Sequence, residues 1–135
     1  MHVLVCDDDP DIGAFLQATF HFERWESSLV DSGEALLAAV RSGALPDAIV
    51  LDQRMPGLTG VEAAAQLRDE GFSRPIILCS GHLGPELNDE IARLDLVPVN
   101  KVDIDAVVRI VRAAVGESQQ AARAQDGRRA TARVR

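Results

Sequence analysis

Four apolar runs recur along the chain, each only four residues long: Val3 to Cys6, Ala48 to Leu51, Ile76 to Cys79 and Leu96 to Val99. Runs of that length, apolar at every position, read as strands buried on both faces. The segments between them are longer and carry apolar residues at helical spacing. Strands of this kind alternating with helices demand an α/β architecture, a parallel sheet covered on both sides. Right-handed crossovers then leave few topologies.

The helices announce themselves by their ends. Asp9-Pro10 opens the first, with Asp as N-cap and Pro in the first turn. Ile12, Phe15, Leu16, Thr19 and Phe20 form its expected inward stripe. A weak, edge-like strand follows near Ser28 to Val30. Ser32 caps a second helix carrying Ala35, Leu36, Ala39 and Val40, and Gly43 ends it. Thr59 and Glu62 have the spacing of a capping box, and the helix behind them is expected to stop at Gly71. Pro85 opens a fourth helix through about Leu94. Asp103 caps the last, with Ile104, Val107, Val108, Val111 and Val115 inward and Gly116 at its end. Residues 1–116 then form one domain, and 117–135 a basic tail, disordered or partly helical.

Each strand runs out at a polar group. Asp7-Asp8-Asp9 closes the first run, Asp52 the Ala48 run and Ser80 the Ile76 run; Lys101, the only lysine in the chain, follows the Leu96 run. Ligands of open α/β sheets bind beyond the carboxyl ends of the strands. The carboxylates of Asp7, Asp8 and Asp52 suit a hard cation. Mg²⁺ takes one or two such ligands together with waters and phosphate oxygens. Asp8 and Asp52 are the natural direct ligands, Asp7 acts through water, and Asp9 is kept for the helix cap. Asp52 is also a candidate nucleophile toward a phosphoryl group. The Ser80 hydroxyl, the Gly81 backbone N–H and the Lys101 ammonium are candidate partners for its oxygens.

Charge narrows the partners. The chain has a formal net charge of −7. Residues 117–135 hold five arginines against Glu117 and Asp126, so the tail is +3 and the body −10. An acidic body argues against nucleic-acid binding by the domain itself. No apolar run approaches a membrane span, and no secretory signal opens the chain, so a cytoplasmic address is expected. Cys6 and Cys79 end strands about 9–10 Å apart if the Asp52 strand lies between them. That is beyond disulfide reach, and both are expected as buried free thiols.

Four stretches together carry a family likeness. They are Val3-Leu4-Val5-Cys6-Asp7-Asp8-Asp9-Pro10-Asp11-Ile12, the run from Pro46 through Asp52-Gln53-Arg54-Met55-Pro56-Gly57 to Gly60, Ile76-Ile77-Leu78-Cys79-Ser80-Gly81-His82, and Asn100-Lys101. In these the sequence resembles the CheY-like receiver domain of bacterial two-component response regulators, over about residues 2 to 116. The resemblance implies a flavodoxin-like, doubly wound (βα)5 fold with strand order 2-1-3-4-5. It implies phosphorylation of Asp52 by a histidine kinase or histidine phosphotransfer protein, with Mg²⁺ held by Asp8, Asp52 and the main-chain carbonyl of Arg54, supported by Asp7. Ser80 and Lys101 would contact the phosphoryl group. Such a chain is a signalling switch rather than an enzyme, at most taking phosphate from small donors and losing it again. Its output, to a downstream protein or a second copy, would leave through the fourth helix, fifth strand and fifth helix.

The sequence also departs from that pattern. The family's switching aromatic would fall at Pro98, the chain has no Tyr, and Val102 stands where a proline usually follows the lysine. These changes leave the phosphorylation chemistry alone and bear on the coupling to the output face. Arg54 and His82 sit at the pocket rim, where family members tune the lifetime of the aspartyl phosphate. His2 and His21 read as surface or packing residues. None of the 135 residues reads as a DNA-binding or catalytic output region, and from the start Met1-His2-Val3 a stand-alone chain or an N-terminal domain is expected. Two other readings remain. One is a phosphatase of the haloacid-dehalogenase type, for which Asp7-x-Asp9 fits but Pro10-Asp11 does not. The other is a phosphate-independent module that kept the fold.

Overall fold

A computed structural model describes residues 1–43, 45–101 and 103–133, with side chains through residue 124. Val102 therefore lies outside the described residues. Five strands, β1 (His2–Cys6), β2 (Glu26–Val30), β3 (Ala48–Leu51), β4 (Ile76–Ser80) and β5 (Leu96–Asn100), form one parallel sheet in the order 2-1-3-4-5. Five helices connect or follow them: α1 (Pro10–Phe22), α2 (Gly33–Arg41), α3 (Gly60–Asp69), α4 (Asn88–Arg93) and α5 (Ile104–Arg133). The expected flavodoxin-like topology is the observed one.

Alternate strand residues feed two cores. Leu4, Cys6, Ile49, Leu51, Ile76 and Leu78 pack with Leu36 and Leu37 of α2 and Ala63, Ala64 and Leu67 of α3. Val3, Val5, Val50, Ile77 and Cys79 pack on the other face with Leu16 and Phe20 of α1 and Val107, Val111 and Val115 of α5. Cys6 and Cys79 are both free and buried, and they belong to opposite faces of the sheet. Burial pushes the Cys6 thiol up to about 12 and the Cys79 thiol up to about 11, so both stay protonated and inert at neutral pH.

Three expectations need correction. Phe15 is 56% exposed and Thr19 only half-buried; the buried stripe of α1 is Gly13, Leu16 and Phe20. Gly13 lies so close under Leu29 that a Cβ would come within 2.7 Å of its methyl groups, which turns α1 onto a narrower face. The segment opened by Pro85 starts as a 3-10 turn, Pro85–Leu87, before the short α4, and neither start has a side-chain cap. Gly116 does not end the last helix. Gly43 and Gly71, at φ +102° and +95°, end α2 and α3 as left-handed residues; Gly116 has no such conformation and good helix formers follow it.

Two side-chain fastenings complete the frame. Arg68 of α3 donates to the carbonyls of Phe72 and Leu94, both at 2.9 Å, and of Arg74 at 2.8 Å, stitching two loops at the amino-terminal edge of the sheet. Across the α1–α5 seam, Arg112 lies 5.5 Å from the Trp25 ring centre and 2.8 Å from a Glu23 carboxylate oxygen. Trp25 in turn stacks on Phe20 with centroids 5.6 Å apart.

Candidate functional site

Strand register builds the site. Cys6 pairs with Leu51 and Leu51 with Leu78, so β1 and β3 end level and β4 runs two residues further, to Ser80. The ladder then continues past the strand ends: Asp7 N–H donates to Val30 O at 3.1 Å and Asp52 N–H to Cys6 O at 2.9 Å. Ser80 pairs with Asn100, and the Lys101 N–H donates to Ser80 O at 3.0 Å. Residues from four strands, as far as 94 positions apart in the chain, are thus held by backbone bonds at one edge.

Asp7, Asp52 and Ser80 are the buried polar residues of this protein among those described, at 3%, 6% and 3% exposure. One oxygen each from Asp7, Asp8 and Asp52 lies within 4.8 Å of the others. Lys101 Nζ bridges two of these carboxylates, 2.7 Å from Asp7 Oδ2 and 3.3 Å from Asp52 Oδ1. Three carboxylates against one ammonium leave a formal charge of −2 in a half-closed pocket, which matches a divalent cation.

The electrostatics follow from that crowding. Burial raises the Asp52 carboxyl above the ordinary carboxylate range, and Asp7 adds repulsion; Lys101 and the Arg54 N–H oppose the rise without cancelling it. Burial alone would lower the Lys101 ammonium, but its bond to Asp7 and the charges of Asp52 and Asp7 outweigh that and hold it above its usual value. The lysine is therefore charged throughout the physiological range, and Asp52 is the strained partner.

The remaining expected residues surround this centre. Asp9 is the cap of α1, accepting from the Asp11 N–H at 3.0 Å, while its own N–H donates to Asp7 Oδ1 at 2.9 Å. The Ser80 hydroxyl donates to the His82 carbonyl at 3.5 Å, a long bond that a better acceptor would displace. Gly81 is exposed beside it, with nothing near the place of a Cβ. Arg54 and His82 are exposed and line one groove of about 500 Å³ with Met55, Thr59 and Leu87. Pro98 is exposed on β5 at a smaller cavity of about 330 Å³ lined by Ser80, His82, Leu83 and Asn100. His2 bonds Ser28 Oγ at 2.8 Å, far from the pocket.

Sequence reading missed Gln53. Its carbonyl accepts from the Gly60 N–H at 3.0 Å, and its side-chain oxygen from the Val61 N–H at 2.9 Å. One residue thus ties the loop after Asp52 to the first turn of α3, alongside the Thr59–Glu62 capping box. The lone signal was a second polar residue, next to Asp52, after a buried strand. Gly60 has its own reason: a Cβ there would collide with the Asp52 carbonyl oxygen and come 2.9 Å from Leu78 Cδ1.

Residues 3–97 match the family described as response regulator receiver domain. The chain belongs to that family. This receiver is 34% identical over 95 residues to the response regulator MprA of Mycobacterium avium, covering 70% of this chain and 40% of that protein. It is 32% identical over 92 residues to the probable transcriptional regulatory protein TcrX of Mycobacterium tuberculosis, 68% of this chain and 38% of that one. The receiver thus spans about two-fifths of the length of these curated relatives. Among solved structures it resembles the receiver domain of the Francisella response regulator 1452, with TM-score 0.79, 25% identity and coverage of 87% of this chain and 98% of that one. It also resembles TrrA of Thermotoga maritima in complex with Mg²⁺ and BeF, with TM-score 0.74, 27% identity and coverage of 84% and 97%. Receivers of this family are signalling modules that bind Mg²⁺ at an acidic cluster and work with histidine kinases. Among the described residues, no helix is long and apolar enough to cross a membrane.

Proposed function

We propose that this receiver accepts a phosphoryl group on Asp52 and passes the signal on by protein contact. The observation that carries the reading is the convergence of Asp7, Asp8 and Asp52 within 4.8 Å, with Lys101 bridging two of them. The donor is the phosphohistidine of a histidine kinase or histidine phosphotransfer protein. An Asp52 carboxylate oxygen bonds to phosphorus, the histidine nitrogen–phosphorus bond breaks, and the electron pair leaves with the imidazole. Small phosphodonors of the acyl phosphate type serve in the same way, and water later returns the carboxylate. Residues 1–116 do this, and 117–135 are a basic extension of it.

Each neighbour has a task the geometry supports. Lys101, already 3.3 Å from Asp52, neutralises the charge gathered on the transferring group. Ser80 turns its hydroxyl from the His82 carbonyl to a phosphoryl oxygen, and the Gly81 N–H is a second donor. Asp8 and Asp52, together with the Arg54 carbonyl, would hold Mg²⁺, with Asp7 in support beside them. The bound cation supplies positive charge that offsets the crowded carboxylates and keeps Asp52 ionised. Arg54 and His82, facing one groove, set the access of water to the acyl phosphate.

The output face differs from the family pattern. Pro98 has no ring that swings, so the response to phosphate runs through the Ser80–His82 bond and residues 81–84 to α4, β5 and α5. That surface meets a downstream protein or a second copy, and the setting is cytoplasmic. The test is the intact mass of the protein after incubation with acetyl phosphate and Mg²⁺. One added phosphoryl group on the wild type, absent from Asp52→Asn, is the expected result. An unmodified wild type, folded and beside a competent control receiver, would favour a phosphate-independent module.

A further inference from the structure

We infer that Glu34, in the first turn of α2, is a positioning residue for the cation site, acting through the loop between β3 and α3. The inference rests on the reading of that pocket as a Mg²⁺-dependent phosphoryl acceptor. The loop from Gln53 to Thr59 carries the Arg54 carbonyl, and its two ends are tied differently. At the near end, Met55 is buried with its sulfur 3.6 Å from Cys6 Sγ. At the far end, the Thr59 N–H is taken by Glu62 at 2.9 Å. Between them Pro56 has no N–H to give, and Gly57 adopts φ +79°.

The tether in that stretch comes from outside the loop. The Leu58 N–H donates to Glu34 Oε1 at 3.1 Å, across 24 residues of sequence. The same carboxylate lies over Gly57, where a Cβ would come within 2.7 Å of Glu34 Oε1. Gly57 therefore does two jobs: it supplies a left-handed turn and leaves room for the carboxylate. The base of the tether is firm, since Leu36 and Leu37 of α2 are buried at 0% and 3% exposure. A residue on a buttressed helix thus holds Leu58, four residues past Arg54, and through it the loop that presents this backbone ligand. Groups outside the coordination shell that orient a ligand commonly change metal affinity when lost.

A purely local role for Glu34 also exists, as an acidic residue favouring the N-terminus of α2. The two roles separate on Mg²⁺ binding. Isothermal titration of the full chain with Mg²⁺ alone would compare wild type, Glu34→Ala, Glu34→Gln and Asp8→Asn. Glu34→Ala should bind Mg²⁺ roughly tenfold more weakly. Glu34→Gln, whose amide oxygen still accepts the Leu58 N–H, should stay within about twofold of wild type. In phosphoryl uptake from acetyl phosphate, Glu34→Ala should shift the half-saturating Mg²⁺ rather than the plateau. Wild-type affinity in Glu34→Ala would overturn the inference. So would equal weakening in Glu34→Gln, which would assign the effect to charge. Failure of the underlying reading looks different: wild type would not bind Mg²⁺, or Asp8→Asn would leave its affinity unchanged.

Discussion

Asp52 pairs a nearly closed environment with a role that needs its charge. Its carboxyl is held above the ordinary range, by burial first and by Asp7 next. A carboxyl raised on folding favours its protonated form. Its contribution is fully present below the unfolded value, about 3.9, and is lost as pH rises through the folded value. Asp52→Asn cannot ionise and escapes that loss. In metal-free buffer the melting temperature of Asp52→Asn minus that of wild type should therefore grow as pH rises from about 4 toward neutrality. Saturating Mg²⁺ should narrow the gap. A difference flat in pH would mean that the burial of Asp52 carries no net electrostatic cost. The chemistry-bearing residues were legible in the sequence because each closes or follows a short strand, and parallel strands present their carboxyl ends at one edge of the sheet. What the sequence could not show was that Lys101 sits closer to Asp7 than to Asp52, a matter of side-chain packing at the pocket floor. Gln53 and Glu34 were illegible for a related reason. They bond backbone amides 8 and 24 residues away, which no periodic pattern records.

At the scale of elements, the junction of β3 and α3 is closely packed. Gly60 is its pivot, pressed against the Asp52 carbonyl and Leu78. Gly60→Ala should lower stability by about 3 kcal/mol and reduce phosphoryl uptake at Asp52, because the displaced atom belongs to the acceptor itself. Thr59→Ala, next door, loses only the cap and should cost about 1 kcal/mol with uptake kept. Denaturant unfolding and mass measurement on the pair check both; equal behaviour would show that Gly60 is merely another cap residue. Elements with two independent signals read correctly from sequence. The buried strands had composition and a polar group at their ends, and α3 had a capping box and a terminal glycine. Features that rested on one signal did not. Helical spacing alone placed Phe15 inward, since it cannot tell which of two adjacent faces meets the sheet. Pro85 marked a start but not a helix type, and Gly116 marked a stop that only a left-handed backbone would have enforced.

For the whole molecule, α5 divides into a packed part and a projecting part. Val107, Val111 and Val115 are buried, whereas Glu117 and residues 119–124 are exposed. Removing residues 117–135 should leave the melting temperature within about 2 °C of the full chain and leave phosphoryl uptake unchanged. A fall of more than about 5 °C would place the extension on the body instead. The body left behind keeps a pocket at the carboxyl ends of the strands and, at their other ends, the cluster of Trp25, Phe20 and Arg112. Trp25 directly precedes β2, whose first residue pairs with His2, so the full length of the strands separates its indole from Asp52. It is also the one tryptophan in the chain. Its fluorescence emission should thus stay constant as Mg²⁺ or a phosphoryl group arrives and change only when the α1–α5 seam opens. The protein carries a built-in optical gauge of unfolding that ligand occupancy does not disturb.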